Sequence, residues 1–390
     1  MNAQENASAE THAPAARPSN VAPAEKGSDT IYFPGLTGLR TIAFLMVFCV
    51  HMIPTVPDKG LGSHWLMIFK WSGSYGVTLF FALSSFLITT LLFEEKARTH
   101  TVDIKKFYFR RILRIWPVFY LMIAVAVVTN IFVLKAPIHW PLILRFCTFT
   151  GNFGLSVEDN NAAPAAIGVL WSVCVEEQFY LIWPLVVRFC SKRLVTAVSI
   201  GIILIGIGFR ASMAGHIQAD VVWSNSLGHL DCFGYGALAS MYLRGRKFAP
   251  DWATGAGIAA LFVGLYALEG VLPYKSMGAG VVRLGGMIDY TLLAIACALI
   301  VWLASTLRSG LLVSKPMVAM GQITYGLYAY HIFANRIMLR AVPRLETSPL
   351  LAAVGTLALS IAIAAASYKY FEAPFLKLKT RMQLIRSNSS

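Results

Sequence analysis

Residues 36–53 read LTGLRTIAFLMVFCVHMI, an apolar run of membrane-helix length that carries two ionisable side chains, Arg40 and His51. At about 100° per residue, eleven steps return to within roughly 20° of the starting direction, so both side chains share one helix face. The rise between them is about 16 Å, half the thickness of a bilayer core. A cation and an imidazole on one stripe of a membrane helix are costly to keep, which makes them functional candidates. The competing reading has Arg40 snorkelling to an interface and His51 ending the helix. Further charges in other apolar segments weigh against it.

The 390 residues are 57% apolar, with a mean hydropathy of +0.63 and only 13% charged side chains. A soluble domain carries about 25%. Apolar segments recur near 36–53, 72–93, 115–134, 168–189, 194–212, 226–243, 252–271, 284–304, 317–339 and 350–371. The chain therefore reads as an all-α polytopic membrane protein, a bundle of about ten transmembrane helices over 31–376. No internal or inverted repeat is visible, which disfavours a transporter built from repeats. Residues 1–30 are rich in Ala, Pro, Ser, Asn and Glu without an apolar signal core, and read as a disordered tail. Residues 377–390 form a short basic tail.

The net charge of +14 has a topological explanation. With the N-terminus cytoplasmic, 19 of the 33 Lys and Arg fall in inner loops and the C-terminal tail, against about ten on the outer side. An even number of spans returns the C-terminus to the cytoplasm, and the location expected is the cell inner (plasma) membrane. The longest outer loop, about 135–167, holds the polar run SVEDNNAAP. The partner implied by the cations is the lipid bilayer rather than nucleic acid. The six cysteines are scattered, mostly in apolar segments, without C-x-x-C spacing, and read as small core residues.

One inner loop ends in FYFRRILRIWP (107–117), which sets Arg110, Arg111 and Arg114 at the mouth of the third span. Arg110 and Arg114 share a helix face, and such a fork of guanidiniums would grip phosphates; it would equally serve as a topology signal against anionic lipid. The fourth span, GVLWSVCVEEQFYLIWPLVV, carries Glu176 and Glu177 near its middle, about 100° apart. These carboxylates need cationic or hydrogen-bonding partners, for which Arg40 and His51 are available. A His oriented by a carboxylate is the arrangement of a general base that activates a hydroxyl. The same parts would also make a proton relay. The ninth span, MGQITYGLYAYHIF, adds Tyr325, Tyr328 and His331, and the sixth, GHLDCFGYGAL, adds Asp231. The second span places Ser84 and Ser85 mid-run. There is no G-x-S-x-G elbow, phosphate-binding loop, dinucleotide fingerprint or zinc-binding H-E-x-x-H.

These pieces, in this order over residues 34–376, resemble the membrane-bound acyltransferase-3 family. The resemblance rests on Arg40 and His51 as an Arg-x10-His pair, then FFALSSFL, FRRILRIWP, WSVCVEEQFYL, TYGLYAYH, and SYKYFEAP with Glu372 and Pro374. Ser85 stands where a Gly is usual and Cys174 where a Ser or Ala is common. The resemblance implies a ten-helix O-acyltransferase moving an acyl group, often acetyl, from cytoplasmic acyl-CoA to a hydroxyl of a carbohydrate or glycolipid acceptor at the outer face. It further implies His51 as base, Arg40 with Glu176 or Glu177 shaping the cavity charge and the His tautomer, and Arg110, Arg111 and Arg114 on the CoA phosphates. Tyr325, Tyr328, His331 and Asp231 are expected along the cavity. No metal is expected. Many relatives carry a C-terminal hydrolase-like domain; this chain ends about 15 residues after its last span. The expectation is therefore either a periplasmic partner protein or one-component action. The rival reading is a proton-coupled transporter or flippase using the same charges, and a third is a non-catalytic scaffold or receptor.

Overall fold

A computed structural model of the chain describes residues 30–55, 61–153, 167–214, 219–271, 284–381 and 386–387. The tail up to residue 29 and the run SVEDNNAAP lie outside the described residues. In chain order the helices are α1 (Pro34–Met52), α2 (Leu61–Ser72), α3 (Tyr75–Thr99), α4 (Ile104–Val128), α5 (Trp140–Cys147), α6 (Trp171–Phe189) and α7 (Lys192–Met213). They continue as α8 (Ala219–Ser224), α9 (Leu230–Tyr242), α10 (Asp251–Val271), α11 (Leu284–Thr306), α12 (Lys315–Gln322), α13 (Thr324–Ala341), α14 (Pro349–Ala366) and α15 (Ala373–Arg381). A two-residue ladder pairs Thr30–Ile31 with Arg386–Ser387.

The result is an all-α polytopic membrane protein. Each of the ten apolar segments falls on a helix, and among the described residues six helices are long and apolar enough to cross a bilayer. The helix at 226–243 falls short of that measure because α9 begins only after the 3-10 turn Ser226–His229; the segment at 317–339 is divided into α12 and α13 at Ile323, and α13 is long enough but carries too many polar side chains. Four helices lie outside those segments: α2, α5, α8 and α15. Helix α2 precedes a turn at Gly73–Ser74 that re-aims the chain into α3, and α5 lies within the loop expected at 135–167.

Helix α3 runs through the centre and packs against α1, α6, α9 and α11. The segment containing it is 78% buried, whereas Pro349–Leu378 is 22% buried and turns Leu350, Leu351 and Val354 outward, as an apolar face suited to lipid does. The first half of α1 is pinned to the segment 311–321. A Cβ on Gly38 would lie 1.9 Å from the Leu312 carbonyl oxygen, and one on Gly321 equally close to that of Thr37. Thr41 then donates to the Met317 carbonyl at 2.7 Å. Small residues at such crossings let membrane helices touch backbone to backbone. This close seat fixes where Arg40 points.

Candidate functional site

A cavity of about 150 Å³ follows α3 from Glu95 to Val77. Eighteen residues of helix put its two ends about 27 Å apart. The wall is shared by Arg40 of α1, Ser84 of α3, Arg110, Arg111 and Arg114 of α4, Glu176 and Tyr180 of α6, and Tyr325 and Tyr328 of α13. Helix α4 starts cleanly because Asp103 caps it, its carboxylate accepting from the Lys106 backbone N–H at 3.0 Å. That hydrogen bond, with the Lys106 side chain behind it, holds the Asp103 carboxyl below the usual carboxylate range.

At this end Arg110 is committed, pairing with buried Glu95 at 3.2 Å, and the Asp103 N–H bonds the other Glu95 oxygen. Arg111 stacks over the Phe107 and Tyr180 rings, 5.5 and 5.2 Å from their centroids. Among the described residues, neither Arg111, Arg114 nor Arg40 has a carboxylate at ion-pair distance. Arg40 goes further: its Nη1 is buried and has no hydrogen-bond partner. Buried donors are almost always satisfied, so an orphaned guanidinium nitrogen on a cavity wall marks a place prepared for an anion or acceptor oxygen.

In the middle, the two glutamates part company as their 100° separation requires. Glu176 faces the cavity, accepting from Ser84 at 2.9 Å and from Tyr180 at 2.8 Å. Glu177 turns to α4 and accepts from the Trp116 indole at 3.1 Å, leaving its Oε1 buried and unpartnered. Tyr325, also on the wall, donates to the Ile115 carbonyl at 2.8 Å.

The far end is closed by Tyr328, whose hydroxyl donates to the Val169 carbonyl at 2.9 Å and bonds Ser172 at 2.7 Å. Beyond it, outside the cavity, lie the two histidines. His331 is fully buried, its Nδ1 2.7 Å from the Tyr328 carbonyl and its Nε2 3.3 Å from Nδ1 of His51. His51 is exposed, and its Nδ1 is also 2.9 Å from the Val47 carbonyl. Neither glutamate is hydrogen-bonded to His51; the expected carboxylate partner is replaced by a second histidine. The helical geometry explains this, since the α6 glutamates meet α1 near Arg40, several turns short of His51.

Asp231 is the clear correction. It is absent from the cavity wall and pairs with Arg210 of α7 at 2.6 Å, both side chains 1% exposed. Arg210 also donates to the Gly228 carbonyl and to Thr291. The aspartate is thus neutralised by a span-end arginine, and serves the packing of α7 on α9. Sequence reading also passed over Tyr180, Ser172 and Glu95. Tyr180 was findable, since it stands four residues after Glu176 on the same helix face.

The fold and its cavity define an α-helical, multi-pass membrane protein with a polar, arginine-rich interior. The family model described as the acyltransferase domain matches residues 33–369, and the chain belongs to that family. Over 378 residues it is 25% identical to the peptidoglycan O-acetyltransferase OatA of Listeria monocytogenes, covering 89% of this chain and 56% of that protein. It is 32% identical over 171 residues to the putative peptidoglycan O-acetyltransferase YrhL of Bacillus subtilis, covering 40% of this chain and 23% of that one. A 175-residue stretch is 33% identical to the O-acetyltransferase OatA of Staphylococcus aureus, covering 43% and 27%. The chain thus spans little more than half the length of the Listeria relative and less of the others. No solved structure matches it.

Proposed function

We propose that the protein is an O-acetyltransferase of the inner membrane, taking the acetyl group from cytoplasmic acetyl-CoA and delivering it to a hydroxyl of a sugar polymer of the peptidoglycan kind at the outer face. The observation that carries the reading is the set of guanidiniums without carboxylate partners, Arg40, Arg111 and Arg114, along one wall of a cavity that ends at Tyr328, one helical turn before the His331 that contacts His51. CoA phosphates would rest on Arg111 and Arg114 at the Glu95 end, with Arg110 held alongside by its ion pair. The pantetheine arm would lie along α3. Arg40, with its free Nη1, would orient the arm and balance charge within the cavity. Glu176 offsets that cation and is itself held by two hydroxyls.

In the chemical step His51 accepts the proton of the acceptor hydroxyl as its oxygen bonds to the thioester carbon. The carbon–sulfur bond breaks, and the proton returns from His51 to the departing CoA sulfur. The thioester end of the arm must pass the Tyr328–Ser172 pair to meet His51, so that pair acts as the divide between donor and acceptor sides. The test is acetyl transfer by purified protein, with acetyl-CoA as donor and peptidoglycan glycan fragments as acceptor. A His51→Ala variant should insert and fold while losing roughly 10²–10⁴-fold in kcat. Near-normal transfer by that variant would end the mechanism. Transport of intact acetyl-CoA or glycan without transfer would replace it with the transporter reading.

A further inference from the structure

We infer that His331 is the positioning residue of the site: it holds His51 in the tautomer whose free lone pair, on Nε2, faces the acceptor. This rests on the reading of His51 as the base.

The argument starts at Tyr328. A backbone carbonyl can only accept, so the 2.7 Å contact to its oxygen requires the proton of His331 on Nδ1. In the neutral ring the lone pair then sits on Nε2, which lies 3.3 Å from Nδ1 of His51. That contact is attractive only if His51 carries its proton on Nδ1. The Val47 carbonyl, 2.9 Å from the same nitrogen, imposes the same condition. A doubly protonated His331 keeps the first contact but not the second, because it would aim a proton at a His51 nitrogen already committed to donating to Val47. His331 is fully buried against Phe44 and Phe48, so its ring has little freedom to turn away.

With both neighbours on Nδ1, Nε2 of His51 is left without a hydrogen bond among the described residues, on a side chain that remains exposed. When Nε2 takes the acceptor proton, the Nδ1–H becomes part of an imidazolium. Its bonds to His331 and Val47 then become charge-assisted and strengthen. His331 exchanges no proton in the cycle. It supplies a lone pair at the place where triads of this logic use a carboxylate, and a base whose tautomer is not held is a slow one.

The test reads the ring directly, by 15N resonances of histidine-labelled full-length protein, with the His51 signals identified by their loss in His51→Ala. Wild type should show His51 protonated at Nδ1 and bare at Nε2. His331→Ala should convert this to a mixture of tautomers and lower kcat with acetyl-CoA roughly 10- to 100-fold, a fraction of what the base supplies, with the donor KM unmoved. His331→Gln, whose side-chain carbonyl can accept from Nδ1–H, should recover most of both signatures. A wild-type His51 protonated at Nε2 overturns the inference, and needs no His331 variant to fold. So does His331→Ala or His331→Gln with lost rate but an unchanged His51 tautomer. Active His51→Ala would instead sink the base reading, whatever the ring spectra show.

Discussion

At the residue scale, the cavity arginines divide into those already spoken for and those that are free, and the division orders their expected phenotypes. If CoA phosphates rest where proposed, Arg111→Ala and Arg114→Ala would each remove a charge-assisted contact worth about 1.5–3 kcal/mol, so the donor KM should rise roughly 10- to 150-fold with kcat far less affected. Unchanged KM in steady-state kinetics would reduce these side chains to anchors for lipid. Arg110→Ala should behave differently, because it strands buried Glu95; the double variant with Glu95→Ala should be better folded than Arg110→Ala alone. The same logic applies more sharply at Arg210 and Asp231. Removing one partner should cost about 3–5 kcal/mol, while Arg210→Met with Asp231→Leu should restore much of it. Melting in detergent decides the point, and single and double variants of equal stability would contradict it. Arg40, His51 and the glutamates were legible in the sequence because a charge in an apolar run has no cheap explanation. The inward polar setting of Asp231 was legible, but its partner was not, because that partner sits 21 residues away on another helix, at a span end where an arginine is unremarked. The histidine pair was invisible for the same reason, being joined across 280 residues.

At the element scale, the helices that hold the site are set by their ends and crossings. Asp103→Ala removes the α4 cap and should cost about 1 kcal/mol, less to the extent that solvent screens an exposed site. The pH dependence has a definite sign. Because the folded carboxyl is held below its ordinary value near 3.9, its stabilisation is complete above that pH and is lost as pH falls through the folded value. Asp103→Asn should keep the cap and flatten the acid limb of a Tm-versus-pH curve. Gly321→Ala forces a methyl against the Thr37 carbonyl and should destabilise by about 1–3 kcal/mol, moving Arg40 with α1. A variant with unaltered Tm and donor KM would show that the crossing yields. The ten long segments were readable because apolar length alone betrays a span. Helices α2 and α5 were not, since each is short, broken at its ends by Pro or Gly, and set with Trp65, Phe69, Trp140 and Leu144 exposed.

At the scale of the whole molecule, the cavity gives the bundle a direction. The arginine-bearing end belongs to the face with most of the loop cations, and His51 belongs to the other. In sealed vesicles of known orientation, acetyl-CoA supplied only at the arginine face should acetylate glycan fragments held at the His51 face, and free CoA should return to the donor side. CoA carries several phosphate charges and cannot cross a bilayer core at acceptable cost. Product that forms only when donor and acceptor share a face would refute a route through the bundle.

The pairing of His51 with His331, and of Thr41 with Met317, spans 280 and 276 residues of chain. Ribosomes add roughly 5–20 residues per second, so about 14–56 s separate the birth of the first helix from that of the partners that complete its site. For that interval Arg40 has α3, α4 and α6 beside it but neither the seat of α1 on 311–321 nor the α13 wall. A nascent chain therefore lacks that side of the cavity, however many of the earlier helices it has inserted. The closed cavity becomes a property of finished molecules only, and a ribosome stalled before residue 324 leaves behind a bundle with one wall open.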